Sequence, residues 1–320
     1  MRLVLPVFFV FSTLISCNKD DKLEDEIARI NTDIEVERFD RLFATVSSES
    51  LSSLKASYPF MFSEKYSDTF WLDKRADTLQ VQLFGEVHKS FSDFEDVELE
   101  IEDLFNHLKY YFSEFRSPRI ITVTNDVDYR NRVIVTDTIA VIALDAYLGS
   151  NHEFYGAIPR YQRNDLKKEQ IVVDLATKYS EKLIFQPKRK SLLDEMIYFG
   201  KQLYFKDVVI PFKSEAERIG YSESELDWAR ANEDYIWRYF VEHELLYSTD
   251  SKLPSRFINP APFTKFYLEE IDTGSPGRLG QYIGWQIVRA YMNNNDVSLR
   301  DMIAKDPMEI FNKSKFKPRR

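Results

Sequence analysis

Cysteine occurs once in this 320-residue chain, at position 17. A lone thiol excludes an internal disulfide, a thiolate zinc cage and a redox-active pair. Glycine is scarce, with 9 residues, and alongside 12 prolines it forms no long low-complexity linker. There is no phosphate-binding glycine loop, no G-x-S-x-G nucleophile turn and no internal repeat. Histidine is scarcer still. His88, His107, His152 and His243 are the four present, and none lies three or four residues from another, so no helix offers a histidine pair to a metal. Long apolar runs are also missing: the most extended, residues 3–15, is about 13 residues, short of the roughly 20 that cross a bilayer. Positive charge is in deficit, with a formal net charge of −9. That acidity argues against a nucleic-acid partner and against attraction to an anionic membrane.

What is present begins at the N-terminus. Arg2 precedes the short apolar run, the arrangement of a secretory signal. Leu14-Ile15-Ser16-Cys17 then has the order a lipoprotein signal peptidase reads: an aliphatic residue at −3, a small one at −1, and a thiol to carry lipid. Cleavage before Cys17 removes residues 1–16, takes Arg2 with it and moves the net charge from −9 to −10. The acyl chains on Cys17 then supply the membrane affinity that the acidic body lacks, since two or more chains suffice for stable attachment. Residues 17–33 are polar and read as a lipidated tether. Residues 34–320, with 44% apolar and 15% aromatic residues across the chain, read as a single folded domain.

Within that domain, 51–62 reads as a first helix. Ile101, Leu104, Phe105, Leu108, Tyr111 and Phe112 recur at helical spacing and predict a helix over 98–114. The texture changes at 119–125, which alternates and is β-branched, and 133–136 with 139–144 reads as a strand pair. Beyond Gly149 the chain reads as helical almost to its end. One helix covers 171–179 and the next 193–203. A long one over 223–247 is opened by a Ser222–Glu225 capping box, and another is started by Ser275 and Pro276. In this last helix Leu279, Ile283, Ile287 and Tyr291 form an apolar stripe, and Gly280 and Gly284 share one face, which predicts close approach of a neighbour. A helix, a small sheet and a mostly helical second half make an α+β fold.

Chemistry is thinner. His243-Glu244-Leu245-Leu246-Tyr247 differs by one residue from the H-E-x-x-H zinc motif, but Tyr247 is a poor ligand at neutral pH, so this reads as one turn of a packed helix. The carboxylates read as a solvated surface and the basic residues at 313–320 as a solvated end. The tryptophans Trp228, Trp237 and Trp285 are candidates to wall a sugar or peptide cleft, and more simply are core.

Taken together, the lipidation motif, residues 34–43 (IEVERFDRLF), Asp145-Ala-Tyr147-Leu148-Gly149, residues 192–205 (LLDEMIYFGKQLYF) and residues 275–292 (SPGRLGQYIGWQIVRAYM) resemble the GldB family of gliding motility lipoproteins of the Bacteroidetes. The resemblance implies an envelope lipoprotein, with the outer membrane favoured, working beside other gliding proteins and type IX secretion components. The same layout is similar to zincin-like lipoproteins whose motif helix carries H-E-x-x-H. Asp194, Glu195 and Tyr198 occupy the matching positions, so the general-base Glu is kept and both histidines are replaced. The resemblance therefore implies a non-catalytic relative with no metal or cofactor. A metal-dependent hydrolase with an irregular ligand set and a glycan- or peptide-binding lipoprotein are the alternatives.

Overall fold

The computed structural model describes residues 19–186, 191–260 and 265–319; Cys17 and the apolar leader lie outside the described residues. The description opens with helix α1 (Lys19–Ile27), inside the stretch expected to be a tether. Ile27 is buried, Glu24 stands 3.3 Å from His107, and the Tyr110 hydroxyl donates to Glu26 at 3.4 Å. Leu23 and Ile27, one turn apart among charges, are the only apolar residues of this helix, too short a stripe to stand out in the sequence.

Strand β1 (Val36–Glu37) and helices α2 (Phe39–Thr45), α3 (Leu51–Ser57), α4 (Asp68–Ala76) and α5 (Thr78–Ser90) follow. The helix expected over 51–62 stops at Ser57, because Pro59 has no N–H and pushes Tyr58 before it out of helical geometry. Phe39, Phe43, Tyr58, Phe62 and Trp71 hold these short helices together through edge-to-face contacts, with centroids 5.0–6.5 Å apart.

Helix α6 (Glu95–Tyr111) is the amphipathic helix expected near 98–114, and its Ile101, Leu104, Phe105 and Leu108 are buried. Strands β2 (Arg119–Val123), β3 (Val133–Val135) and β4 (Ile139–Ala143) complete a sheet of order β1-β2-β4-β3. β1, β2 and β4 run parallel, and β3 pairs antiparallel with β4. Alternation along β2 sends Ile121 into the aromatic cluster and Ile120 into the large core with α6. Both faces of the sheet are thus covered, as parallel strands require.

The second half is helical: the single turn α7 (Arg160–Arg163), then α8 (Ile171–Leu183), α9 (Leu192–Val209) and α10 (Glu215–Ile219). After these come α11 (Glu223–Ala231), α12 (Glu233–Glu242), α13 (Glu269–Gly274), α14 (Leu279–Asn294), α15 (Leu299–Ala304) and α16 (Pro307–Ser314). The α+β architecture is the one expected.

Helices α9 and α14 cross with almost nothing between them. A Cβ on Gly284 would overlap the Met196 carbonyl and lie 3.0 Å from Met196 Cα, and one on Gly200 would lie 2.8 Å from Trp285 N. Leu279, Ile283, Ile287 and Tyr291 are buried along the same helix, so the glycine face is a packing seam.

Three expectations need correction. The Ser222–Glu225 box forms, but the helix breaks at Asn232, whose amide donates to Trp228 O at 2.8 Å. The chain leaves helical geometry again at Glu244 (φ 54°), so His243, Glu244 and Tyr247 share no helix face. Ser275 closes α13 and does not open α14. Gly277 approaches Pro260 so closely that a Cβ would be 2.5 Å from its carbonyl oxygen, and α14 starts only after Arg278 at φ 57°. At the C-terminus the basic side chains Lys313, Lys315, Lys317 and Arg319 are exposed, as expected of a solvated end, while Phe316 packs edge-on against Trp237 at 5.3 Å and Arg319 N donates to the buried Glu233 at 3.0 Å.

Candidate functional site

Helix α9 carries the residues that the zincin resemblance singles out, and its N-terminus decides what they do. Ser191 is the N-cap, and its hydroxyl accepts from Asp194 N at 3.2 Å. Asp194 returns the contact: its Oδ2 accepts from Ser191 N at 3.1 Å and from Ser191 Oγ at 2.6 Å. That is a capping box, which satisfies donors the helix start leaves open. The carboxylate is therefore turned back along the chain, away from the position where a ligand one turn from residue 198 would point. Glu195 is buried and accepts from Gln186 Nε2 at 3.2 and 3.4 Å. Burial raises the Tyr198 hydroxyl above its ordinary value, and Glu181 adds to the effect, while a bond from Gln202 opposes it. A phenol so placed stays neutral.

The histidines are scattered. His88 is exposed near the end of α5. His107 is buried in α6, with Nδ1 2.8 Å from Asp103 O and 3.3 Å from the Asp103 carboxylate. His152 Nε2 lies 3.2 Å from Glu86, and its Nδ1 accepts from Phe154 N. His243 ends α12 and packs on Tyr239 with centroids 4.2 Å apart. Among the described residues, no group of three or more His, Cys, Asp or Glu side chains converges on one point.

A polar groove does form, beyond the motif and on the same helix. Phe199, Gln202, Leu203 and Lys206 of α9 face a cavity of about 330 Å³ opposite Asp174, Thr177 and Glu181 of α8. It continues past Asp165, Arg278 and Pro260 into cavities of about 320 and 660 Å³. The charges on its wall are held in place. Arg132 grips Asp174 through Nε and Nη2 at 2.5 and 2.8 Å, and Asp174 also accepts from the Tyr147 hydroxyl at 2.7 Å. Arg278 donates to Asp165 at 3.1 Å and to the carbonyls of Ile219 and Gly220 at 2.7 and 2.9 Å, closing the end of α10. Burial pushes the Lys206 ammonium down to about 8. The Arg278 guanidinium adds to this, while Asp174, Asp165 and Asp207 oppose it.

The segment Asp145-Ala-Tyr147-Leu148-Gly149 is the corner that sets this wall. Asp145 accepts from Asn125 N and Val127 N, at 2.8 Å for the latter, fixing a loop in which Asp126 and Val127 both take positive φ. Burial raises its carboxyl to about 6 against those bonds. Leu148 N donates to the Tyr155 hydroxyl at 2.9 Å, and Gly149 at φ 110° adopts a conformation that other residues resist. The sequence did not reveal the groove, because its walls come from six separate segments. None of Trp228, Trp237 and Trp285 lines the described cavities; Trp285 is fully buried and donates to Asp207 at 2.8 Å.

No helix among the described residues is long and apolar enough to cross a membrane. No curated protein and no solved structure matches the chain. The model of a family described as gliding motility protein GldB does match, over residues 20–318, which takes in α1, the sheet, the α9–α14 seam and the groove. The chain therefore belongs to the family of gliding motility protein GldB.

Proposed function

We propose that this chain is a non-catalytic component of the gliding apparatus, cleaved before Cys17 and held by lipid at an envelope membrane, the outer membrane being favoured. Its partners on this reading are other gliding proteins and components of type IX secretion. Family membership supports the gliding role, and the order of residues 14–17 supports the anchor. Zincin-like ancestry belongs to the same proposal, with α9 as the former motif helix.

The observation that carries the non-catalytic part is the engagement of Asp194. A catalytic zinc needs three protein ligands and an open position for water. Here one motif position closes a capping box and the other holds a neutral phenol. Without a metal-bound water, Glu195 has nothing to deprotonate and serves as a buried acceptor for Gln186. Elemental analysis of the protein purified from its native envelope tests this. The reading expects no stoichiometric zinc, and one tightly held zinc per chain overturns it.

A further inference from the structure

We propose that the groove binds an oxyanion at Lys206, the carboxylate or phosphate group of a polar ligand whose body lies along the adjoining cavities. The argument is one of charge balance. Three guanidiniums stand around Lys206, and each is already paired: Arg132 with Asp174, Arg278 with Asp165, and Arg218 with Asp207, which Arg289 also grips. Lys206 is 7% exposed and takes part in none of the ion pairs among the described residues. Its Nζ bonds the backbone oxygen of Arg218 and reaches Thr177 Oγ1 at 3.4 Å. A buried cation without a counter-ion is costly to keep. The carboxylates of the cavity wall are engaged by other cations, Asp174 by Arg132, Asp165 by Arg278 and Glu181 by Lys178, so none makes a direct ion pair with Lys206.

Helix capping alone does not account for this lysine, and its neighbour on α9 shows why. Lys201 is 4% exposed and donates to the carbonyls of Ile303 and Lys305 at the end of α15. It lines none of the described cavities, so capping explains it fully. Lys206 makes the equivalent contact at the end of α10, but it also opens on a cavity flanked by Arg132 and Arg278. Their carboxylate and carbonyl partners fix both guanidiniums in advance, so an arriving anion meets donors that need no reordering. The adjoining 660 Å³ cavity, with Tyr161, Asn164, Ser222 and Ser224 on its wall, suits a body rich in hydroxyl or amide groups.

Thermal denaturation of the full-length lipidated protein in detergent tests the site, with inorganic phosphate and glycylglycine as probes against sodium chloride of equal ionic strength. At least one probe should raise the midpoint of the wild type and of Lys201→Met, and which probe acts separates phosphate from carboxylate. Lys206→Met should bind at least about tenfold more weakly, as expected for loss of a charge-assisted contact. A wild type that responds to neither probe beyond chloride overturns the proposal, and so does an undiminished response in Lys206→Met. Should that variant not fold, pH decides. The ammonium faces Arg278, Asp174, Asp165 and Asp207, with Arg132, Arg218 and Glu181 on the same wall, and its loss of a proton above about 8 should abolish the wild-type response by pH 9.5. A response that is flat with pH overturns the site.

Discussion

The α9–α14 seam gives the sharpest quantitative prediction, through Gly284→Ala. The added methyl group would overlap the carbonyl of Met196, and the backbone of Gly284 itself faces Gly200. Both obstacles are main chain, so no rotamer change relieves the clash and the helices must part by roughly 1 Å or more. Overpacking of this kind costs about 1–3 kcal/mol, and a backbone clash belongs at the upper end. Against that stands the better helix propensity of alanine, worth about 1 kcal/mol. The net is a loss of about 2 kcal/mol. For a domain of this size that lowers Tm by roughly 3 °C. Gly85 is the matched control: it lies in α5, and an added Cβ would find nothing within 4 Å. The same substitution there should stabilise by up to about 1 kcal/mol. Thermal melts of the two variants side by side give the answer. Shifts in the same direction, or an unchanged midpoint for Gly284→Ala, would refute the close-packing argument.

Asp194→Ala removes the acceptor for Ser191 N and Oγ and should cost about 1 kcal/mol, as lost caps do, with metal content unchanged; a melt equal to wild type would deny the carboxylate its capping role. His107 gives a pH dependence. Burial lowers its pKa, but bonds to Asp103 and the charges of Asp103 and Glu24 outweigh this, so the net shift is upward. A raised histidine contributes stability that is full below its unfolded value, about 6.5, and is lost as pH rises through the folded value. Hydrogen exchange in α1 should therefore quicken between pH 6 and 8.5 beyond its intrinsic rise with pH, and His107→Gln should remove that excess; equal excess in the variant would be the contrary result. Cys17→Ser should leave the protein unlipidated and move it out of the detergent phase, and retention there with acyl label would contradict the anchor.

Much of the fold was legible because it depends on local rules. The stripe of α6, the alternation of β2 and β4, and the Ser222 box are each written in neighbouring residues. The misreadings came where a distant contact overrode a local signal. Ser275-Pro276 has the form of a helix start, but Gly277 must pass Pro260, and Arg278 must reach Asp165 and the end of α10, so α14 begins later. The capping role of Asp194 was not legible, because sequence spacing shows which face a residue occupies and not which way its side chain turns. Ser191, three positions earlier, was the signal that would have identified it as a capping residue. The groove left no sequence trace at all, since Arg132, Asp165, Lys206 and Arg278 meet only after folding.

The central claim, an envelope gliding protein that works without catalysis, meets its most direct test in Glu195→Gln expressed as the only copy in the native host. Glutamine retains an oxygen to accept from Gln186 Nε2, so the fold and the buried contact survive while any general-base function is lost. Colony spreading and single-cell gliding, measured at matched protein levels, should equal wild type. Non-gliding cells with a stably accumulated variant would show that Glu195 acts chemically and would contradict the account.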